Sequence, residues 1–375
     1  MLALLLLLQA PSTPAQGRPA LPDSYPSKHY DMRTSATPDQ AKELLDFMEL
    51  VHSTYMNLLK PENPAEVEKR RFTLLLYKDS REYVASGAPP GSGAYYNGQE
   101  LVGWYDDTFM RPFFAHEGMH QFTDATSKNF RAFPMWFTEG IADCVGNCEV
   151  KNDKLYMCVK SGMISRMRLQ TVQGALRAGQ YFPLRRLLTL PRDEFMRNAE
   201  LCYAESWSFC HFLITYPKEE DRSVQIPNGK YRKNLAGYYE AVRSGKLRPG
   251  EAFEQAFKGI PLDDLQDQWA KYVLSLDGGK YLGVRGAELE DVEGLAIDAG
   301  FSGIKLEEVL PEGVAGKAGL KAGDILIKFN GRRFPKADAM NRLRVWMQDV
   351  PVGRPVKVTV LRAGQPVEVS CVWKD

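Results

Sequence analysis

His116-Glu117-Gly118-Met119-His120 sets two imidazoles four residues apart with a carboxylate between them. On an α-helix that spacing puts both rings on one face, one turn apart, where they can grip a single metal ion. Glu117 then stands beside the ion's open position, placed to take a proton from a water activated there. Phe113, Phe114 and Ala115 before the pattern and Phe122 after it predict a buried helix rather than a solvated one.

Zinc used for hydrolysis takes three protein ligands and keeps one position for water. No third histidine follows closely, which excludes the H-E-x-x-H-x-x-G-x-x-H arrangement. The best remaining donor is Glu139, 19 residues past His120, in Pro134-Met135-Trp136-Phe137-Thr138-Glu139-Gly140-Ile141-Ala142-Asp143. Thr138 is the expected cap of a second helix, with Glu139 on its first turn and the intervening residues forming a loop that returns to the metal. Asp143 shares a face with Glu139 and is placed to accept the free N–H of a ligand imidazole; an ordinary acidic helix surface is the alternative.

The elements that position these groups follow from periodicity and punctuation. Residues 29–34 read as a first strand after a Pro-rich lead at 18–26. Thr37-Pro38 opens a helix through Leu59, and 71–77 form a buried strand. Residues 93–102 form a hairpin around Asn97-Gly98, just before the metal-binding helix. Helices follow: one at 204–216 carrying His211, read as a satisfied core or surface histidine with a second polarising group in the cleft as the alternative, and amphipathic segments at 253–276 that turn Phe253, Phe257, Leu265, Trp269 and Val273 inward. This is an α+β layout, with the metal between two lobes. Asp277-Gly278-Gly279-Lys280 breaks the pattern and bounds a first domain at 18–277.

HEGMH followed by Trp136-x-x-Glu139-Gly140-x-Ala142-Asp143 resembles the gluzincin peptidases, in particular the peptidase-MA-like domains. The resemblance implies a zincin-like two-lobed domain with one Zn2+ per chain, held by His116, His120 and Glu139, and Glu117 as general base. In the aminopeptidase branch a tyrosine at a comparable distance past the glutamate binds the developing oxyanion, which points to Tyr203; a packing tyrosine in an aromatic helix is the alternative. Residues 93–102 also resemble the edge strand of thermolysin-type enzymes, implying that Ala94, Tyr95 and Tyr96 pair with substrate backbone. A plain surface hairpin is the other reading. The glutamate with which aminopeptidases hold a free α-amine is missing, and Tyr96 is the nearest match, which favours internal cleavage.

The tail at 281–375 has another signature. Tyr281-Leu282-Gly283-Val284 resembles the carboxylate-binding loop of PDZ domains, and Ala318-Gly319-Leu320-Lys321-Ala322-Gly323-Asp324-Ile325-Leu326 resembles their core segment, in the permuted order of bacterial exported proteases. A small β-barrel-like domain is implied. Leu282, Gly283 and Val284 would hold a C-terminal peptide carboxylate, with Met340 and Leu343 lining a side-chain pocket. A module that serves only for packing is the alternative.

Across the 375 residues, 48 basic and 47 acidic side chains nearly cancel, so nothing points to nucleic acid or an anionic membrane. The apolar run Leu2 to Leu8 and Thr13-Pro14-Ala15 before Gln16 read as a secretory signal at 1–17, too short to span a bilayer. The expected product is exported, periplasmic or extracellular, without an integral membrane segment. Six cysteines in such a compartment predict at least one disulfide among Cys144, Cys148, Cys158 and Cys202, with Cys371 a buried thiol. The functional expectation is a zinc metallopeptidase acting on peptide or protein substrates. The rivals are a catalytically weak peptide-binding adaptor and a zinc hydrolase of a non-peptide bond.

Overall fold

The computed structural model describes residues 18–89, 92–106, 110–159, 163–217, 225–276, 280, 282–289, 301–311, 313–335, 339–348 and 350–373. The leader at 1–17, Gly278-Gly279 and Tyr281 lie outside them. Two units divide the chain, one ending at Leu276 and the other starting at Asp277.

The first unit begins with β1 (Asp23–Pro26), β2 (Tyr30–Thr34), α1 (Pro38–Leu59), the short α2 (Pro64–Val67), β3 (Phe72–Tyr77), α3 (Ser80–Ala85), β4 (Ala94–Tyr96) and β5 (Glu100–Trp104). Thr37 and Gln40 close a reciprocal capping box at the start of α1, where Pro38 needs no N–H partner. Leu44, Met48, Val51 and Tyr55 recur at helical spacing and are all buried. The sheet runs β1-β2-β3-β5-β4. Its three middle strands are parallel and both outer pairs antiparallel. β3 lies at the centre, which is why its sequence is a nearly unbroken apolar run. β1 was read as part of an irregular lead; it pairs with β2 from Asp23↔Thr34 to Pro26↔Asp31. Its sequence carries no alternation, and Pro26 is tolerated because the strand lies at the sheet edge.

α4 (Met110–Thr126) and α5 (Met135–Gly146) follow, then the hairpin β6 (Glu149–Lys151) and β7 (Lys154–Tyr156). The rest of the unit is helical: α6 (Met163–Ala178), α7 (Leu184–Leu187), α8 (Arg192–Arg197), α9 (Ala199–Thr215), α10 (Arg232–Arg243), α11 (Pro249–Ala256) and α12 (Leu262–Ser275). Two glycines set the packing here. A Cβ on Gly118 of α4 would stand 2.6 Å from the Tyr55 hydroxyl of α1. A Cβ on Gly140 of α5 would stand 2.4 Å from the Ser206 carbonyl oxygen of α9. Neither position has room for a methyl group, so both helix pairs approach backbone to side chain or backbone to backbone.

The expected disulfide is absent. All six cysteines are free thiols. Cys144 is directed at Cys158 rather than at Cys202, and the Cys158 N–H donates to the Cys144 carbonyl at 3.0 Å. Cys202 packs in a separate cluster with Phe195 and Tyr203. The buried Cys144 and Cys210 sulfurs donate to the Trp207 and Trp136 carbonyls at 3.7 and 3.8 Å, behaving as small apolar residues with a weak S–H. Among the described residues no helix is long and apolar enough to cross a membrane.

The second unit contains β8 (Val284–Leu289), β9 (Phe301–Val309), α13 (Val314–Lys317), β10 (Ile325–Phe329), β11 (Arg332–Pro335), α14 (Ala339–Gln348), β12 (Pro355–Arg362) and β13 (Gln365–Val372). Its antiparallel sheet runs β13-β12-β10-β11-β9-β8, leaving β8 at an edge. The Gly323-Asp324 pair of the sequence motif has a structural reason. Buried Asp324 accepts from the Lys321 N–H at 2.8 Å and takes a bidentate pair from Arg362 at 2.8 and 2.7 Å. Met340 and Leu343, the expected pocket residues, lie on α14, which starts at Ala339.

Candidate metal centre

α4 and α5 bring three donors together. His116 Nε2 and His120 Nε2 are 3.2 Å apart, and Glu139 Oε2 lies 3.3 Å from the first and 3.4 Å from the second. Three donors at the corners of such a triangle share a point about 2.0 Å from each, the centre of a regular tetrahedron whose fourth corner is left open; that is the bond length zinc takes with nitrogen and oxygen. All three residues are buried, and Glu139 is fully so. Neither Glu139 oxygen has a hydrogen-bond partner among the described residues, so this buried carboxylate has only the two imidazoles to face. A cation at the shared point satisfies it. The donor set fits a zinc-class metal.

Glu139 reaches the site by a slightly different route from the one expected. α5 starts at Met135, capped at Pro134, three residues before Thr138. Pro134 ends the preceding turn and takes the cap position, so Glu139 falls in the second helical turn and Thr138 only touches the Met135 carbonyl at 3.4 Å. Asp143 Oδ1 lies 2.9 Å from His116 Nδ1, leaving Nε2 to face the shared point. Arg168 of α6 donates from Nε to Asp143 Oδ2 at 2.9 Å and stacks its guanidinium over the Tyr203 ring at 4.7 Å.

The electrostatics follow from this arrangement. Burial opposes a charged His116, but Asp143 and Glu139 outweigh it and raise the imidazole to about 10. The same two carboxylates that hold that proton favour any cation at Nε2. Burial pushes the Glu139 carboxyl up, and the His120 and His116 imidazoles more than reverse it, holding the group well below the usual carboxylate range. Glu117 is raised, chiefly by burial, which makes its carboxylate a better proton acceptor. Its Oε2 accepts the backbone N–H of Tyr96 at 2.9 Å, so β4 orients the carboxylate.

Tyr203 lies on α9, fully buried, with its hydroxyl unpartnered among the described residues. Burial raises its phenol well above the ordinary range, with Glu139 adding to the effect and Arg168 opposing it, so the O–H is a retained and unspent donor. β4 stands at the sheet edge. The Tyr95 ring turns into a cluster with Tyr83 and Val102, and the Tyr96 hydroxyl donates to Asp124 at 2.8 Å. His211 is a core residue, its ring nitrogens beside the Cys158 carbonyl and the Tyr272 hydroxyl. In the second unit the Leu282 carbonyl accepts from Ala315 and the Gly283 carbonyl from Leu310, each at 2.8 Å, while Val284 opens β8. Met340 is half-buried and donates its N–H to Glu288 of β8 at 2.8 Å; Leu343 belongs to the core.

Arg168 and the Tyr96 N–H are absent from the sequence reading. Arg168 is one of three arginines in α6, and nothing in its spacing marks it as the partner of Asp143. A backbone donor has no sequence signal at all.

Residues 113–227 match a family described as protein of unknown function (DUF1570), a span that includes His116, Glu117, His120, Glu139, Asp143 and Tyr203. Residues 306–362 match the PDZ domain. The C-terminal unit carries a PDZ domain. Among curated proteins, the periplasmic serine endoprotease DegP of Escherichia coli is 36% identical over 91 residues, 24% of this chain and 18% of that protein. The periplasmic pH-dependent serine endoprotease DegQ of Escherichia coli is 35% identical over 156 residues, 40% of this chain and 33% of that protein. The chain therefore spans between 18% and 33% of the length of these relatives. Among solved structures, an aminopeptidase N family protein from Idiomarina loihiensis is 12% identical with a TM-score of 0.47, covering 94% of this chain and 66% of that one.

Proposed function

We propose that the first unit is an exported zinc-dependent peptidase of the gluzincin type, with a zincin-like two-lobed architecture, and that the PDZ domain holds peptide segments of its substrates or partners. The triangle of donors at 3.2, 3.3 and 3.4 Å carries this reading. His116, His120 and Glu139 would hold the zinc, which would supply Lewis acidity toward the scissile carbonyl and lower the pKa of water. Glu117 accepts the proton of the attacking water and returns it to the leaving nitrogen. The Tyr96 N–H on Oε2 keeps that carboxylate in one orientation through both transfers. Since the Tyr96 N–H points away from β5, Ala94, two residues earlier, presents its backbone to the same side, where an extended substrate adds as a further strand. The Tyr203 O–H donates to the oxyanion that develops on the former carbonyl. β4 bears no carboxylate to hold a free amine, which supports cleavage within chains.

In the PDZ domain the loop around Leu282, Gly283 and Val284 holds a terminal carboxylate, and the groove between β8 and α14, with Met340 at its rim, takes the side chains that precede it.

Glu117→Gln removes the base and leaves all three ligands. The protein should retain one tightly held zinc through the His116 centre and lose peptide hydrolysis by about 10²–10⁴-fold, measured on a peptide library by mass spectrometry. Hydrolysis at the wild-type rate would refute the assignment.

A further inference from the structure

In the PDZ domain a loop, an edge strand and a helix decide which peptide can be read. The Gly283 carbonyl accepts the Leu310 N–H at 2.8 Å, so Gly283 faces β9 and Val284 turns its own N–H and carbonyl to the free edge of β8. Strand alternation repeats that outward turn at Gly286 and Glu288. Leu282 and Gly283 are buried, and neither N–H has a partner among the described residues. Buried donors left unspent at the head of an edge strand suit a terminal carboxylate.

Val284, Gly286 and Glu288 share the less exposed face of β8, and the residues opposite them on β9 are Val309, Leu306 and Ile304. The face is apolar until Glu288. That side chain reaches across to α14, where its Oε1 accepts the Met340 N–H in the first helical turn at 2.8 Å. Its Oε2 has no partner among the described residues. Arg285, the basic residue of β8, lies on the other face, 3.3 Å from Glu308, and does not neutralise it. Glu288 therefore stands across the groove between β8 and α14, with one oxygen spent on the helix and one open.

A peptide whose carboxylate lies at the Leu282–Val284 loop runs antiparallel to β8, because β8 leads away from that loop. With its last residue opposite Val284, each earlier residue moves one place along the strand. The fifth from the end then stands opposite Glu288, with its side chain on the same face. We propose that Glu288 is the specificity-determining residue of this groove and selects C-terminal peptides with lysine or arginine at the fifth residue from the end. The cation takes the open Oε2 in a charge-assisted bond while Oε1 keeps the helix N–H. A carboxylate at the same place meets a like charge and is rejected. The inference rests on the terminal-carboxylate binding proposed above.

The test uses the immobilised full-length chain carrying Glu117→Gln, so that bound peptide is not cleaved. Two hexapeptide pools with free carboxyl ends, random at the last four positions, carry lysine or glutamate at the fifth from the end, and mass spectrometry reads what is retained. The lysine pool should be held about threefold better than the glutamate pool at low salt, with the ratio narrowing as salt is raised. Glu288→Gln keeps an acceptor for the Met340 N–H and should bring the ratio close to one, while Glu288→Lys should invert it. Amidating the carboxyl ends should release both pools. A ratio near one in the starting protein, or a ratio unmoved by Glu288→Gln, overturns the inference while leaving carboxylate binding intact. Failure to retain either pool, or retention that survives amidation unchanged, overturns the terminal-carboxylate reading and this inference with it.

Discussion

Two histidine–glutamate groups in the first unit use the same residue types and differ in how the chain assembles them. At His116 and His120 one helix turn fixes two donors, and a single neighbouring helix brings Glu139 to complete a triangle closed to solvent. At His29 and His52 the side chains arrive from separate segments, the rings lie face to face, and Glu68 is half in water. Each group nevertheless has one imidazole steered by a carboxylate on Nδ1, Asp143 in one and Glu49 in the other. The difference lies in the ring planes: at the first group they stand 81° apart, so both lone pairs can meet at one point, whereas the stacked rings of the second, 11° from parallel, cannot share one. Under the proposed function Glu117 and the Tyr203 hydroxyl serve the first group, and neither has a counterpart at the second.

The sharpest way to break that distinction is Tyr203→Phe. Loss of the donor should lower kcat by about 10²-fold with KM and zinc content nearly unchanged. A kcat equal to wild type would make Tyr203 a packing residue and leave only Glu117 to separate the two groups. Next in size is Asp143→Asn, which should weaken zinc at the His116 centre by about 10–100-fold, read by titration against a chromophoric chelator. Unchanged affinity would mean that Asp143 does not steer the imidazole.

Glu205 serves as a control on burial without a cation. Its carboxyl is raised to about 8 by burial, against a single opposing hydrogen bond from the Phe182 N–H at 2.9 Å. It binds its proton in the folded chain and releases it at ordinary carboxylate pH when unfolded. The stability it contributes is therefore complete below the ordinary carboxylate range and falls as pH rises toward about 8. Glu205→Gln, which still accepts from Phe182, should flatten that fall in urea unfolding between pH 5 and 8 relative to wild type. An unchanged slope would mean that Glu205 is ionised in the folded chain. The smallest effect belongs to the PDZ domain. Removing residues after 279 should raise KM for long substrates a few-fold and leave short-peptide turnover nearly intact, through loss of an effective-concentration term. Equal loss on both, from a truncated chain shown to be folded and zinc-loaded, would argue for a structural module.

The first group was legible in the sequence because helical geometry converts a four-residue spacing directly into a shared face. Glu139 was legible because it follows on the very next α-helix, although the cap position assigned to Thr138 belongs to Pro134. The second group was not legible: His29, His52 and Glu68 have no local spacing in common, and the pairing of β2 with β3 and the packing of α1 bring their segments together. The cysteines show the converse error. Counting them suggested bridges, but pairing depends on direction, and Cys144 and Cys202 face different clusters. The PDZ segment was readable because its Gly323-Asp324 turn is tied to one buried ion pair with Arg362.

The missing methyl at Gly140 has a mechanical consequence. With α5 and α9 in contact through the backbone at Ser206, Glu139 on one helix and Tyr203 on the other are mounted on a single stiff plate. Glu117, by contrast, is carried by α4 and braced by β4. Under the proposed function, any motion between these helices would carry the third ligand and the phenol together, as one jaw, against the base and the edge strand as the other. Widening that helix contact by even one carbon would shift both members of the first jaw at once, changing the alignment of metal ligand and oxyanion donor without altering a residue that touches substrate.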